Sequence, residues 1–371
     1  MLSIKVTTDT RKIRFGLIGY GSWAERVHIP SLALAESAEL VALCGPDAER
    51  ARRMADQYHV AFATADPLAL IQHPDVDAVL IASPNHAHAE AAIAAARAGK
   101  HVLCEKPLAR TLDEARAMTA AVNTTGVRHI VAFTWRHVPA AQLAQRIVAD
   151  GAIGRVLHVE AHFLHHGWLS LDTKRPWRFD RNRMGSGILG DLGVHLFDML
   201  AWMVGAPITR VCARLSTFGP KPDIAGQPPV FDDAHLLLDF ASGTHGSVRL
   251  SRVTASAYRA PFPDMHQGVE LYGERGALIY DLHRHSQLEL RRVKQPTTLI
   301  DAPNPLPASD NEWVVTHEMG RRQIERFTHA IRTGQAAQPS FADGLCAQAV
   351  MQAAERSQDS NTWAEVENTA A

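Results

Sequence analysis

Directly after the apolar run Ile13 to Ile18 come Gly19-Tyr20-Gly21-Ser22-Trp23-Ala24, a G-x-G-x-x-A spacing suited to holding a pyrophosphate. Gly19 permits the tight turn, Gly21 lets backbone approach the phosphates, and Ala24 allows close helix-to-strand packing while the helix N-terminus faces the anion. A purely structural glycine turn is the alternative; strand before, helix after and further βα units favour a dinucleotide. An acid reading the ribose hydroxyls belongs roughly twenty residues on, at the end of the second strand. That strand ends in Cys44-Gly45-Pro46, without an acid. Asp47 stands two residues later as a ribose ligand or a helix cap, and Arg50 is a partner for a 2′-phosphate or a solvated helix residue. NAD and NADP therefore both stay open.

Two further groups could act on a substrate. Glu105-Lys106-Pro107 follows the strand His101 to Cys104, at the carboxyl end where open parallel sheets bind ligands. A lysine there can hydrogen-bond a substrate hydroxyl and favour its alkoxide-like form, whereas a surface ion pair is the plain alternative. Asp191 and His195, in the glycine-rich stretch from Gly185 to Asp198, are four residues apart and share a face if Asp191 opens a helix. Such a pair can hold a substrate oxygen and exchange its proton near neutral pH; a helix cap beside a satisfied core histidine is the competing reading. Ser83-Pro84-Asn85 with His86 and His88 lies at another strand's carboxyl end, next to the expected cofactor or serving as turn and cap. His158 and His162 share a strand face and His165-His166 follow. With no cysteine or carboxylate cluster completing a set of ligands, these read as a polar sheet face, and no metal is expected.

These residues need a parallel sheet to hold them. From Ile13 onward short apolar runs alternate with alanine-rich helical stretches, the pattern of successive βαβ units. Strands are expected at Ile13 to Ile18, Leu40 to Cys44, Ala78 to Ala82, His101 to Cys104 and His129 to Phe133, closing a first domain near residue 134. Pro30 predicts a kink or break in the stretch Trp23 to Ala35. Thr111 followed by Glu114 predicts a capping box. Beyond residue 153 strict alternation from Arg155 to Phe163, and again at Ala234 to Phe240, Thr244 to Leu250, Val269 to Tyr272 and Gly276 to Tyr280, predicts a largely antiparallel sheet. Helices are expected at Glu318 to Ile331 and Asp343 to Ser357, and a surface loop at Gly219 to Pro229. The fold class is thus an α/β Rossmann-like N-terminal domain (1–134) followed by an α+β C-terminal domain (135–371) with an open sheet.

Length and composition agree with two domains. The chain has 371 residues, 38 Lys plus Arg against 39 Asp plus Glu, and 46% hydrophobic residues. A net charge near zero gives no general attraction to nucleic acid or anionic lipid. No uninterrupted apolar run of bilayer length is evident, and the first ten residues lack a signal-peptide core, so a soluble, cytoplasmic protein is expected. Cys44, Cys104, Cys212 and Cys346 are scattered, as expected for reduced thiols.

Taken in order, the glycine turn, Ala82-Ser83-Pro84-Asn85 with His88, the run Gly99 to Leu108 and the Asp191 to His195 segment resemble the glucose/fructose oxidoreductase, inositol dehydrogenase and rhizopine-catabolism (Gfo/Idh/MocA) family, over about residues 12 to 357. Arg136 with Pro139, Gly151 to Gly154 and Gly273 to Leu278 also match. The resemblance implies NAD(P)-dependent hydride transfer on a secondary alcohol or ketone of a sugar or polyol, with Lys106, Asp191 and His195 as the catalytic set. It implies cofactor contacts from the glycine turn, Ser83, Pro84, Asn85, His88, Glu105, Lys106, Arg136 and the pair Trp177-Arg178; Gly45, Asp47 and Arg50 are further cofactor candidates by their place at the end of the second strand. It also implies a homodimer or homotetramer formed through the open sheet. A few relatives bind cofactor as regulators without turnover; the complete set of three favours an enzyme over such a sensor. Gly45, in place of an acid, and the bulky Trp23 depart from the family pattern.

Overall fold

The computed structural model describes residues 11–166, 176–218, 224, 226–254 and 258–369. Six strands, β1 (Ile13–Ile18), β2 (Ala38–Cys44), β3 (Phe62–Thr64), β4 (Ala78–Ile81), β5 (His101–Cys104) and β6 (His129–Val131), form a parallel sheet in the order β3-β2-β1-β4-β5-β6. Phe15, Leu17, Leu43, Val79, Leu80, Val102 and Leu103 are almost wholly buried, as strands covered on both faces require. The order reverses between β1 and β4, and the glycine turn leaves β1 at that point. The amide of Gly19 donates to the Cys44 carbonyl (2.8 Å) and that of Ala82 to the Ile18 carbonyl (2.8 Å).

Thr111 and Glu114 form the expected capping box, starting the helix Leu112–Thr125. Two expectations need correction. The sheet has a further strand, β3, followed by the helix Pro67–Gln72; three residues carry too little periodicity to be seen beforehand. Of the kink or break expected at Pro30, the break does not occur: a π-helical turn, Ala24–His28, runs straight into the α-helix Ile29–Leu34, and the change of helix type falls immediately before the proline. The Arg26 carbonyl, four residues before a proline that has no amide hydrogen to give it, accepts from His317 Nε2 (2.7 Å) instead.

The second sheet is made of β7 (Val156–His165), β8 (Ile208–Ser216), β9 (Asp233–Phe240), β10 (His245–Ser251), β11 (Met265–Gly273), β12 (Gly276–Asp281), β13 (Gln287–Arg291), β14 (Thr298–Asp301) and β15 (Ala364–Glu365). Their order is β14-β13-β12-β11-β7-β10-β9-β8-β15, antiparallel except for the central β7/β10 pair. The helix Val194–Val204 packs on one face through Val194, Leu196, Phe197 and Leu200. Arg181–Val204 is long and apolar enough by composition to cross a bilayer, but 78% of its apolar window is buried inside the fold, as in a core helix. Most of the loop expected at Gly219 to Pro229 lies outside the described residues.

The chain then returns to the first sheet. Ile324, Phe327 and Ala330 of the helix Glu312–Thr333 share a core with Phe15 and Leu17, the Phe15 and Phe327 rings lying 6.3 Å apart. The change of texture near residue 134 thus marks the end of the sheet but not of its covering layer. Arg136 ties the parts together: its Nε donates to Asp198 Oδ2 (2.7 Å), its Nη2 to Asp198 Oδ1, and Nη2 also to Asp343 Oδ1 (2.8 Å).

Several histidines inside this packing are held neutral. Burial, aided by Arg326, Arg136 and Arg322, pushes His137 down to about 3; burial and Arg128 push His129 down to about 4. The unfolded chain takes up these protons near pH 6.5 while the folded chain does not, so stability falls as pH drops below that value. Between pH 6.5 and 5.5 these two residues together cost about 2 kcal/mol. Thermal unfolding followed from pH 7.5 to 5.5 is expected to show a midpoint lower by a few degrees at the acidic end; a flat profile would remove this account.

Candidate functional site

Gly19 has φ +95°, and a Cβ there would sit 2.6 Å from the Ala82 carbonyl and the Ser83 amide, so the turn from β1 past the end of β4 demands glycine. Around Gly21 the opposite holds, with nothing within 4 Å of a Cβ. Ser83 Oγ is buried and without a hydrogen-bond partner among the described residues. An open approach at Gly21, an unpaired hydroxyl and a helix start at the switch point together fit a dinucleotide.

The second strand's end is shaped by Tyr20. A Cβ on Gly45 would lie 1.9 Å from the Tyr20 ring, so the residue usually reading ribose is replaced by space for an aromatic. The Tyr20 hydroxyl donates to the Asp47 carbonyl (2.8 Å) and accepts from the Asp47 amide (3.0 Å). Asp47 caps its helix, Oδ1 accepting from the amides of Glu49 and Arg50. The Arg50 guanidinium lies over the Tyr20 ring, 4.9 Å from its centre, and donates to the Tyr20 carbonyl at 3.3 Å. Of the two roles weighed for Asp47 the cap is visible, and Arg50 sits at the mouth of the turn.

Glu105 explains the bulk of Trp23. The Trp23 indole donates to Glu105 Oε1 (3.0 Å), His28 Nε2 donates to the same oxygen (2.7 Å), and the Lys106 amide donates to Oε2 (3.0 Å). Burial would raise this carboxyl, but His28 and Lys106 hold it below its ordinary value. An ionised Glu105 thereby fixes the glycine-turn helix to the peptide that presents Lys106. His88 lies between the Ser83 carbonyl (2.9 Å) and the Pro107 carbonyl (3.0 Å), and Asn85 Nδ2 donates to the Met184 carbonyl (2.7 Å), linking the loop after β4 to the segment that precedes Asp191.

Lys106 meets Asp191 across the two units. Its Nζ donates to the Asp191 carbonyl (2.7 Å) and lies 3.3 Å from Oδ1. Asp191 occupies a π-helical turn, Leu189–Gly193, which leads directly into the helix carrying His195. Arg178 Nη1 reaches Asp191 Oδ1 (3.3 Å), and Arg252 Nη1 lies 3.6 Å from Oδ2. Burial works to raise the Asp191 carboxyl, yet Lys106, Arg178 and Arg252 outweigh it and hold the group far below its usual range. His195 is 7% exposed and packed among Phe133, Trp135 and Phe163. Burial first, then the Lys106 ammonium, push this imidazole well below its ordinary pKa against the opposing pull of Asp191. The arrangement is therefore a cation beside a carboxylate, with a neutral imidazole within reach of both charges.

Among the described residues Trp177 meets this gathering through Arg178, whose guanidinium lies 5.0 Å from its ring centre. Arg136 stands apart from this gathering, its bonds going to Asp198, Asp343 and Gln338. The sequence reading missed Arg252 and Asp232, both fully buried and 3.6 Å apart at Nε and Oδ1, and it missed His28. His165, read as part of a polar sheet face, lies near Asp191, and burial pushes its imidazole below the ordinary value against the opposing pull of Asp191 and Asp264.

Comparison with known proteins agrees with this geometry. Residues 13–133 match the model of the oxidoreductase family with an NAD-binding Rossmann fold, and residues 141–279 match the GFO/IDH/MocA C-terminal domain. Levoglucosan dehydrogenase of Pseudarthrobacter phenanthrenivorans is 32% identical over 361 residues, covering 88% of this chain and 89% of its own. Inositol 2-dehydrogenase of Rhizobium meliloti is 29% identical over 93% of this chain and 96% of its own. The solved structure of a levoglucosan dehydrogenase with NADH and levoglucosan superposes with a TM-score of 0.86 at 31% identity, covering 96% of this chain and all of that one. With its Rossmann sheet, glycine turn and second-sheet domain, the chain belongs to the GFO/IDH/MocA family of NAD-binding oxidoreductases.

Proposed function

We propose that this enzyme moves a hydride between a nicotinamide and a secondary carbinol, or its ketone, on a cyclic sugar or polyol. The observation carrying this is the bond of Lys106 Nζ to Asp191 beside the buried, neutral His195. The nicotinamide, when bound, accepts or returns the hydride of the carbinol carbon. The residues of the chain handle the oxygen and its proton. Lys106 has three donors and uses two on Asp191; the third has no acceptor among the described residues and can serve the substrate oxygen, whose negative charge grows as the C–H bond breaks. His195 is neutral, as a base must be, and takes the hydroxyl proton, returning it in the reverse direction. Asp191, fixed by Arg178 and Arg252, accepts from a neighbouring hydroxyl and supports the imidazolium once it forms. The lysine and histidine roles can exchange without altering the balance of protons.

Dehydrogenases named for levoglucosan, inositol and D-apiose are among the similar proteins, which makes anhydrosugars, inositols and pentoses the first substrates to try. Incubation of the purified protein with NAD or NADP and such a panel is expected to produce reduced cofactor, followed by its absorbance, with at least one member. A panel that stabilises the protein against heat but gives no redox change with either cofactor would instead favour a sensor.

A further inference from the structure

On the face of the second sheet turned away from the helices, register brings three distant residues together. His162 on β7 faces Gly268 of β11, Leu164 faces His266, and Gly268 also faces Asp281 of β12. Residues directly opposite, and those two apart along a strand, share a face; His162, His266 and Asp281 therefore project to the same side. Glycine at 268 makes room: a Cβ there would lie 2.6 Å from the His162 ring, which stands 4.4 Å from the His266 ring. His283, two residues beyond Asp281, completes the cluster.

We propose that His266, Asp281 and His283 bind one transition-metal dication of the zinc class, with His162 at the margin of the site. One donor atom from each of the three lies within 4.8 Å of the others. His266 Nε2 is 3.7 Å and His283 Nδ1 3.4 Å from Asp281 Oδ1. Ligands at 2.0–2.1 Å around a tetrahedral zinc stand about 3.4 Å apart, so little movement is needed. The tautomer of His283 points the same way. Its Nε2 faces the Phe262 carbonyl at 3.2 Å and donates to it, leaving Nδ1 with a lone pair directed at a carboxylate oxygen. Two lone pairs so placed need a proton or a metal ion between them. The backbone carbonyl is also the usual outer partner of a ligating imidazole.

The other groups set the character of the site. Arg259 Nη2 (3.2 Å) and Arg284 Nε (3.7 Å) hold Asp281 Oδ2, and the His283 amide donates to Oδ1 at 2.9 Å, orienting the carboxylate. With two nearby guanidinium groups and a majority of imidazole ligands, the site suits zinc, cobalt or nickel and not magnesium or calcium. His162 Nε2 is buried without a hydrogen-bond partner among the described residues, available as a fourth ligand where water does not serve. A metal here would pin Phe262, whose carbonyl engages His283 and whose ring lies 6.0 Å from Trp135, the neighbour of His195. Its part is structural, at a distance from the reacting oxygen.

The test uses tag-free protein stripped with a chelator and then titrated with Co²⁺ and Zn²⁺. One Co²⁺ per chain is expected, with the visible absorption of a four-coordinate ion, displaced by Zn²⁺, and with a raised unfolding temperature for the zinc-loaded protein. His266→Ala and His283→Gln should each weaken uptake by more than about a hundredfold, beyond what loss of an outer partner does. His158→Ala, which removes an exposed histidine paired with Glu160 on the same sheet face, should leave it unchanged. If His283→Gln does not fold, the partly exposed His266 carries the comparison alone. Absence of stoichiometric uptake, or equal uptake by the His266→Ala protein, overturns the metal and leaves a proton between His283 and Asp281.

Discussion

Lys106→Ala and His195→Ala each lower turnover by roughly a hundred- to ten-thousand-fold while the affinity for dinucleotide persists. The expectation rests on what each group does to the oxygen. In the proposed role Lys106 brings a positive charge that the ground-state hydroxyl hardly uses and the developing alkoxide uses strongly, so its removal would fall on kcat. Because Asp191 keeps Arg178 and Arg252 beside it, the lysine variant leaves no bare buried carboxylate and should fold. His195 is different: it fills a space among Phe133, Trp135 and Phe163. His195→Gln therefore accompanies the alanine variant, keeping volume while removing the base. The pH dependence supplies a second reading. With its pKa pushed well down by burial and Lys106, His195 stays unprotonated through the slightly acidic range, so the acid limb of kcat/KM for alcohol oxidation falls below the ordinary histidine value near 6.5. Both variants keeping turnover within about threefold of the parent would return Lys106 and His195 to structural roles.

What the sequence disclosed about this site follows the range of the forces involved. The glycine turn and the Thr111 to Glu114 capping box are local devices, complete within a few residues, and both stand in the structure where the spacing put them. The meeting of Lys106 with Asp191 is not local. It depends on two units closing on each other, and only the family resemblance, not the spacing of either residue, linked them in advance. Trp23 shows the limit from the other side. It stood out as too large for its position until its indole was seen donating to Glu105, a partner 82 positions away. Gly45 stood out as too small, and its reason is the Tyr20 ring, 25 residues earlier in the chain but pressed against it in space.

Arg252 and Asp232 had no signal at all. Each sits at the edge of an alternating strand where a charged residue ordinarily faces water, and nothing nearby in the chain marks either as buried. Arg136 carries the converse lesson: a residue expected at the cofactor spends its guanidinium on Asp198 and Asp343, joining elements up to 207 residues distant. The short strand β3 and the return of the helix Glu312–Thr333 to the first core were hidden for a related reason. Periodicity reports which face of an element is buried, but not which sheet buries it.

The second large effect concerns Gly21 and separates the fold from the cofactor. Gly21→Val is expected to abolish measurable binding of NAD(H) and NADP(H) and to change unfolding stability by no more than about 0.5 kcal/mol, as for an unconstrained surface position. The structure supplies both halves of that statement. A Cβ at 21 meets no atom of the described residues within 4 Å and Gly21 is not held at a positive φ, so the fold is expected to tolerate a side chain there. In the proposed placement a pyrophosphate approaches the helix start across that space, so a branched side chain would fill the ligand's place. Gly19→Val makes the informative contrast. With φ at +95° and a Cβ 2.6 Å from the Ala82 carbonyl, it strains the turn itself and should lose stability along with binding. Calorimetric titration of each variant with both cofactors, beside thermal unfolding, distinguishes the two cases. Undiminished affinity in a folded Gly21→Val protein would show that the phosphates do not pass over this turn, and the adjoining roles of Ser83 and Arg50 would fall with it.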